Sequence, residues 1–162
     1  MIMMNLRLSA EDAEDAAAGI RIFRAPVPER SAEITGLVAE LFAISSLLKD
    51  LEDLANDRSF RANLILVRTD LDIVQASLKY TLDDLIGFFA DVEENTTTTT
   101  ITNWTISRRD TYRRIWFQLS RFFLVEASFP LNDRLGKYRS FLQALVNGMG
   151  EYVKPFTPLF FH

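Results

Sequence analysis

Large apolar residues recur at steps of three and four along four segments of the chain, a rhythm that predicts four amphipathic helices. In the first, over 31–55, Ile34, Leu37, Val38, Leu41, Ile44, Leu48 and Leu51 draw one stripe. Ser31 stands where an N-cap belongs, and Asn56-Asp57 supplies a stop followed by the next cap. The second, over 58–93, carries Leu64, Val67, Leu71, Val74, Leu78, Leu82, Leu85, Phe89 and Val92 without a miss. At 1.5 Å per residue it is roughly 50 Å long, and a kink near 77–81 or at Gly87 would shorten it. The third, over 107–128, opens on Ser107, with Asp110 placed to complete a capping box, and presents Tyr112, Ile115, Trp116, Leu119, Phe122 and Phe123. Pro130 disfavours helix in the residue before it, which ends this segment near Ser128. The fourth, over 131–148, carries Leu131, Leu135, Tyr138, Leu142, Leu145 and Met149, and Gly148 with Gly150 is expected to end it.

Between and around these helices the rhythm lapses. Residues 1–30 mix methionines, an acidic-alanine patch and Ala25-Pro26-Val27-Pro28, and predict a mobile arm with at most a weak helical turn near 11–18. The threonine run at 95–105 has poor helix propensity and predicts a flexible loop between two helical hairpins. Residues 151–162 form an aromatic tail twice interrupted by proline. The fold expected is all-α: an antiparallel four-helix bundle of two helical hairpins over 31–150, with a flexible N-terminal arm and the tail outside it.

Composition agrees with a folded domain, because 48% hydrophobic residues and 13 phenylalanines are too many for a disordered chain. The start of the chain lacks a basic residue followed by an apolar core, so no secretory leader is expected. No uninterrupted run of about 18 apolar residues predicts a membrane span. A cytoplasmic location follows as the expectation, with the nucleus as the second choice.

The net charge of −4 conceals an asymmetry. Residues 31–95 hold 13 acidic and 5 basic side chains, a net of −8, whereas 96–162 hold 9 basic and 4 acidic, a net of +5. An acidic and a basic helical pair attract across a shared rim, so an internal use is expected first.

Several chemistries are excluded. The chain has no cysteine, and its one histidine is the last residue, His162. That removes thiolate chemistry, a Ser-His-Asp triad and the usual zinc ligands. Asp83-Asp84, Asp70 with Asp72, and Glu93-Glu94 remain, but helical neighbours point about 100° apart and do not converge. The glycines form neither a dinucleotide fingerprint nor a P-loop. No catalytic activity, no metal and no cofactor are therefore expected.

Arg108, Arg109, Arg113 and Arg114 cluster at the start of the third helix, where cations oppose the helix dipole and need a negative partner. The acidic first hairpin is the expected internal partner; a phosphorylated peptide, an anionic membrane surface or, least favoured in a net-acidic chain, nucleic acid are the external ones. With these arginines, Trp104 in the loop and Phe156, Phe160 and Phe161 in the tail complete the candidate interaction surface.

The segments AEITGLVAELFAISSLLKDLEDL, LDIVQASLKYTLDDLIGFFADV, YRRIWFQLSRFF and RLGKYRSFLQAL, in that order, resemble a group of uncharacterised filamentous-fungal helical proteins. That resemblance covers about 31–146 and implies a fungal source and a helical fold. More distantly, the order of helices looks like the N-terminal HeLo-like domains of fungal NOD-like signalling proteins, which implies self-association and, for some members, membrane damage. Here an acidic arm stands where that class opens with an apolar helix. The function expected is a helical protein–protein interaction or self-association module without chemistry of its own, with coiled-coil-like contacts. The alternative is peripheral membrane or lipid binding, through the arginines and the tail aromatics.

Overall fold

A computed structural model describes residues 5–100 and 108–151, with side chains placed for 5–91 and 109–149; every regular element among them is helical. Five α-helices follow one another: α1 (Leu6–Arg21), α2 (Ser31–Asn56), α3 (Arg61–Thr100), α4 (Arg108–Ser120) and α5 (Leu131–Glu151). Short 3-10 turns, Ile22–Arg24 and Pro28–Arg30, link α1 to α2, and a π-helical turn, Arg121–Val125, extends α4.

α1 corrects the expectation of a mobile arm over 1–30. Leu6, Ala10, Ala13, Ala17 and Ile20 are all buried, at the same steps of four and three that mark the other helices. Four of the buried positions on this face, Ala10, Ala13, Ala16 and Ala17, are alanines, whose methyl groups are too small to register as an apolar stripe. Alanine is nonetheless the best helix former and lets two backbones approach closely. Asn5 caps the helix, its side-chain oxygen accepting from the Leu8 N–H at 3.2 Å. Beyond the helix, Phe23 and Val27 are buried as well, so the proline stretch is anchored.

The stripe of α2 is observed largely as expected, with Ile34, Leu37, Leu41, Ile44, Leu48 and Leu51 buried and Val38 packed against them. Ser31 is not the cap, however. The preceding 3-10 turn already leads into the helix, Arg30 holds the cap position without a side-chain bond, and Ser31 is the first helical residue. Asp57 does serve the next turn: its carboxylate accepts from the Ser59 N–H at 2.9 Å and its carbonyl from the N–H groups of Phe60 and Arg61 at 3.1 Å. By length and composition the segment Pro28–Asn56 is apolar enough to cross a membrane. Its apolar stripe is occupied by protein, chiefly α1 and α5.

α3 runs for 40 residues, about 60 Å at 1.5 Å per residue, and continues through Thr100 where a loop was expected. Once a helix is nucleated, each added threonine costs only about 0.7 kcal/mol or less relative to alanine, too little to force a break. Leu71, Leu78, Leu82 and Leu85 are buried, with Leu64, Val67, Val74 and Phe89 packed beside them. α5 likewise continues past Gly148 to Glu151. No described glycine takes a positive φ, so Gly148 sits in the helix and does not terminate it.

The helices pair differently from two stacked hairpins. α1 packs along α2 and against α3, and α5 packs against the same two, whereas α2 and α3 touch little although a short turn joins them. α1 runs parallel to α3: Gln75 donates to the Ser9 hydroxyl at 3.2 Å, and Gly19 lies against the Phe89 ring. α5 runs antiparallel to α3, with Tyr138 beside Ser77 and Thr81 and Arg134 beside Thr81. Phe23 sits at the centre of an aromatic cluster that seats α4, with ring centroids 6.3 Å from Phe89, 6.0 Å from Tyr112 and 5.6 Å from Trp116.

The third stripe is corrected at one position. The Glu126 N–H bonds the Arg121 carbonyl at 2.8 Å, five residues back, and this π turn inserts an extra residue into the helical register. Phe122, expected in the core, is left 62% exposed, while Phe123 packs against the core as expected and Leu124 joins it.

Substitutions at glycine and leucine test this packing. An alanine Cβ at position 19 would lie 2.6 Å from the Phe89 ring. Gly19→Ala is therefore expected to destabilise by about 1–3 kcal/mol, against its gain in helix propensity. At Gly87 the same Cβ meets nothing within 4 Å. Gly87→Ala is expected to stabilise by up to about 1 kcal/mol. Leu78→Ala, at a fully buried site, should cost about 2–5 kcal/mol in urea denaturation.

Candidate interaction surface

The predicted arginine cluster is divided by the fold. Arg113 faces inward from α4, donates to the Pro26 carbonyl at 3.3 Å and pairs with Glu29 at 2.5 Å. Its partner thus comes from the proline stretch before α2, and the acidic hairpin expected to supply it does not. Arg109 and Arg114 are exposed, with Arg109 close enough to Glu29 to act on it electrostatically. Arg108 opens α4, and its side chain lies outside the described residues, as do Trp104, Phe156, Phe160 and Phe161. The attraction between acidic and basic halves is realised elsewhere, where Arg139 of α5 donates to Glu40 of α2 at 2.6 Å.

Sequence reasoning missed the apolar residues that remain in solvent. On the first half of α3, Ile65, Leu66, Ile73 and Tyr80 are 73%, 70%, 64% and 77% exposed. Leu66, Ile73 and Tyr80 stand one heptad apart, so they share a face of the helix, and Thr69 and Ala76 lie between them on it. This second stripe is harder to see in the sequence than the core-facing one, because its intervening positions, Thr69 and Ala76, are polar or small. Phe117, Phe122 and Val125 form a further exposed group where α4 meets the π turn.

A cleft of about 370 Å³ opens between α3 and α5. Ser77, Tyr80 and Thr81 line it from α3, and Arg134, Lys137 and Tyr138 from α5, with Phe129 at its end. A directed chain of hydrogen bonds forms one wall. The Thr81 hydroxyl donates to the Ser77 carbonyl at 3.3 Å and so accepts from Tyr138 at 3.2 Å, which leaves Tyr138 to accept from the Ser77 hydroxyl at 2.7 Å. Arg134 donates to the same Thr81 oxygen at 3.3 Å, and the Lys137 ammonium sits 4.4 Å above the Phe129 ring.

No protein-family model matches this chain, and neither a curated protein nor a solved structure does.

Ionisation ties the N-terminal segment to the rest. Hydrogen bonds from Lys49 and Ser45 hold the Glu14 carboxyl below the ordinary glutamate value, and Arg113 does the same for Glu29. Burial, and then the neighbouring Asp83 carboxylate, push Asp12 above the ordinary aspartate value. The two glutamates stabilise the fold above the unfolded glutamate value of 4.5 and lose that contribution as pH falls through their lowered values. Asp12 acts in the opposite sense, because its ionisation at neutral pH opposes folding. In urea titrations, Glu29→Gln is expected to lower the midpoint at pH 7 and to match the parent in strong acid. Asp12→Asn is expected to raise the midpoint at pH 7, with the gain vanishing as Asp12 protonates.

Proposed function

We propose that this chain is a helical protein–protein interaction or self-association module without catalytic activity, and that its partner is a second copy of itself. The observation that supports the reading is the second apolar stripe of α3, Leu66, Ile73 and Tyr80, which no other described helix covers. Apolar residues repeating every seven positions are the pattern by which two helices pair as a coiled coil, and small intervening residues such as Thr69 and Ala76 let the partners approach. Exposed apolar residues grouped on one face mark interaction sites more often than scattered ones do.

In this reading α1, α2, α3 and α5 form a four-helix core, α4 lies across its aromatic end, and α3 presents its outer face for assembly. The absence of cysteine and of any histidine before the last residue fits an assembly role. So does the self-association implied by the resemblance to HeLo-like domains, and a cytoplasmic site of action is consistent with both.

Light scattering on the purified chain tests the proposal. The parent is expected as a defined dimer or larger assembly, and Leu66→Glu with Ile73→Glu is expected to be monomeric with an unchanged helical circular dichroism spectrum. A parent chain that remains monomeric at every accessible concentration would overturn self-association. So would an assembly that survives both substitutions.

A further inference from the structure

We infer that the cleft between α3 and α5 is a binding site for a phosphomonoester carried on a small aromatic body. Its volume of about 370 Å³ falls in the range of small-molecule sites, roughly 300–1,000 Å³. The inference shares Tyr80 with the self-association reading and otherwise rests on different side chains.

The charges select the ligand. Arg134 and Lys137 both line the cleft, no carboxylate does, and neither cation has a carboxylate partner among the described residues. The two lie one turn apart on α5, on the side that faces the cleft. Two cations thus line one space in a chain of net charge −4. A dianion relieves that repulsion better than a single carboxylate does.

The hydrogen-bonding groups point the same way. The Thr81 hydroxyl is saturated by its bonds to the Ser77 carbonyl, Tyr138 and Arg134. Arg134 spends one N–H on that contact, and the remaining donors of its planar fork match two oxygens of a phosphoryl group. Lys137 is held over the Phe129 ring and offers its ammonium as a point charge. Phe129 and Tyr80 provide flat apolar wall beside these donors, which favours an aryl over a bare phosphate.

Isothermal titration with phenyl phosphate, inorganic phosphate and benzoate, at ionic strength held constant with chloride, provides the test. Phenyl phosphate is expected to bind saturably, and inorganic phosphate to bind the same site more weakly. Lys137→Gln and Arg134→Gln should each weaken phenyl phosphate by about tenfold, as expected for loss of a charge-assisted bond. Lys137 is exposed, so its variant should fold normally, and a helical spectrum matching the parent checks this. Arg109→Gln with Arg114→Gln should leave binding unchanged. Equal affinity for the two phosphates would overturn the proposal, because the aromatic body would then contribute nothing to binding. No saturable binding of either phosphate would overturn the proposal. Benzoate binding as tightly as phenyl phosphate would do so too, as would binding indifferent to Lys137 and Arg134.

Discussion

The close seat of α1 against its neighbours is the constraint on which the arrangement of the other helices depends. Alanine methyls at positions 10, 13, 16 and 17 fill the middle of the buried face of α1, between Leu6 and Ile20, and Gly19 meets the Phe89 ring with no room for a Cβ. A face this small buries little area by itself, and its value lies in letting the α1 backbone come within reach of both α2 and α3. Glu14 then reaches Ser45 and Lys49 of α2, and Phe23, just beyond the helix, enters the aromatic cluster that holds α4.

That insertion decides what the longer helices can do. With α1 on one side and α5 on the other, α2 and α3 meet little, and each finds its apolar partners in helices that are not its neighbours across the 57–60 turn. α3, at 40 residues, is far longer than the 16 of α1 and the 21 of α5, so the two cannot cover it throughout. Even within the covered stretch, Ile73 and Tyr80 stand in solvent on the opposite face from buried Leu71, Leu78 and Leu82, and with Leu66 they form the surface on which the proposed assembly role rests.

Charge is used locally. The arginine-rich start of α4 is offset through Arg113 and Glu29, and the net-basic end of the chain meets the acidic part through Arg139 and Glu40. Exposed pairs of this kind contribute little stability each, about 0–1 kcal/mol. Their effect is to set which faces meet. Arg134 and Lys137 are not offset in this way, and they stand together in the cleft between α3 and α5.

Side-chain size and spacing along the chain were enough to determine the all-helical class, most of the stripes of α2, α3 and α5, and the turn at Asp57, because these depend on neighbours within a few residues. The burial of Ile34, Leu48, Leu78 and Leu142 was legible for that reason. Only the tertiary structure decided that 6–21 is a packed helix, since an alanine face becomes a core only when another helix lies on it. It also decided that Phe122 turns outward, because the π turn changes register through a single backbone hydrogen bond that no residue type announces. The pairing of helices and the meeting of Arg134, Lys137 and Tyr138 with Ser77 and Thr81 belong to the same class. They depend on contacts between residues more than fifty positions apart, and local periodicity carries no record of which faces will meet.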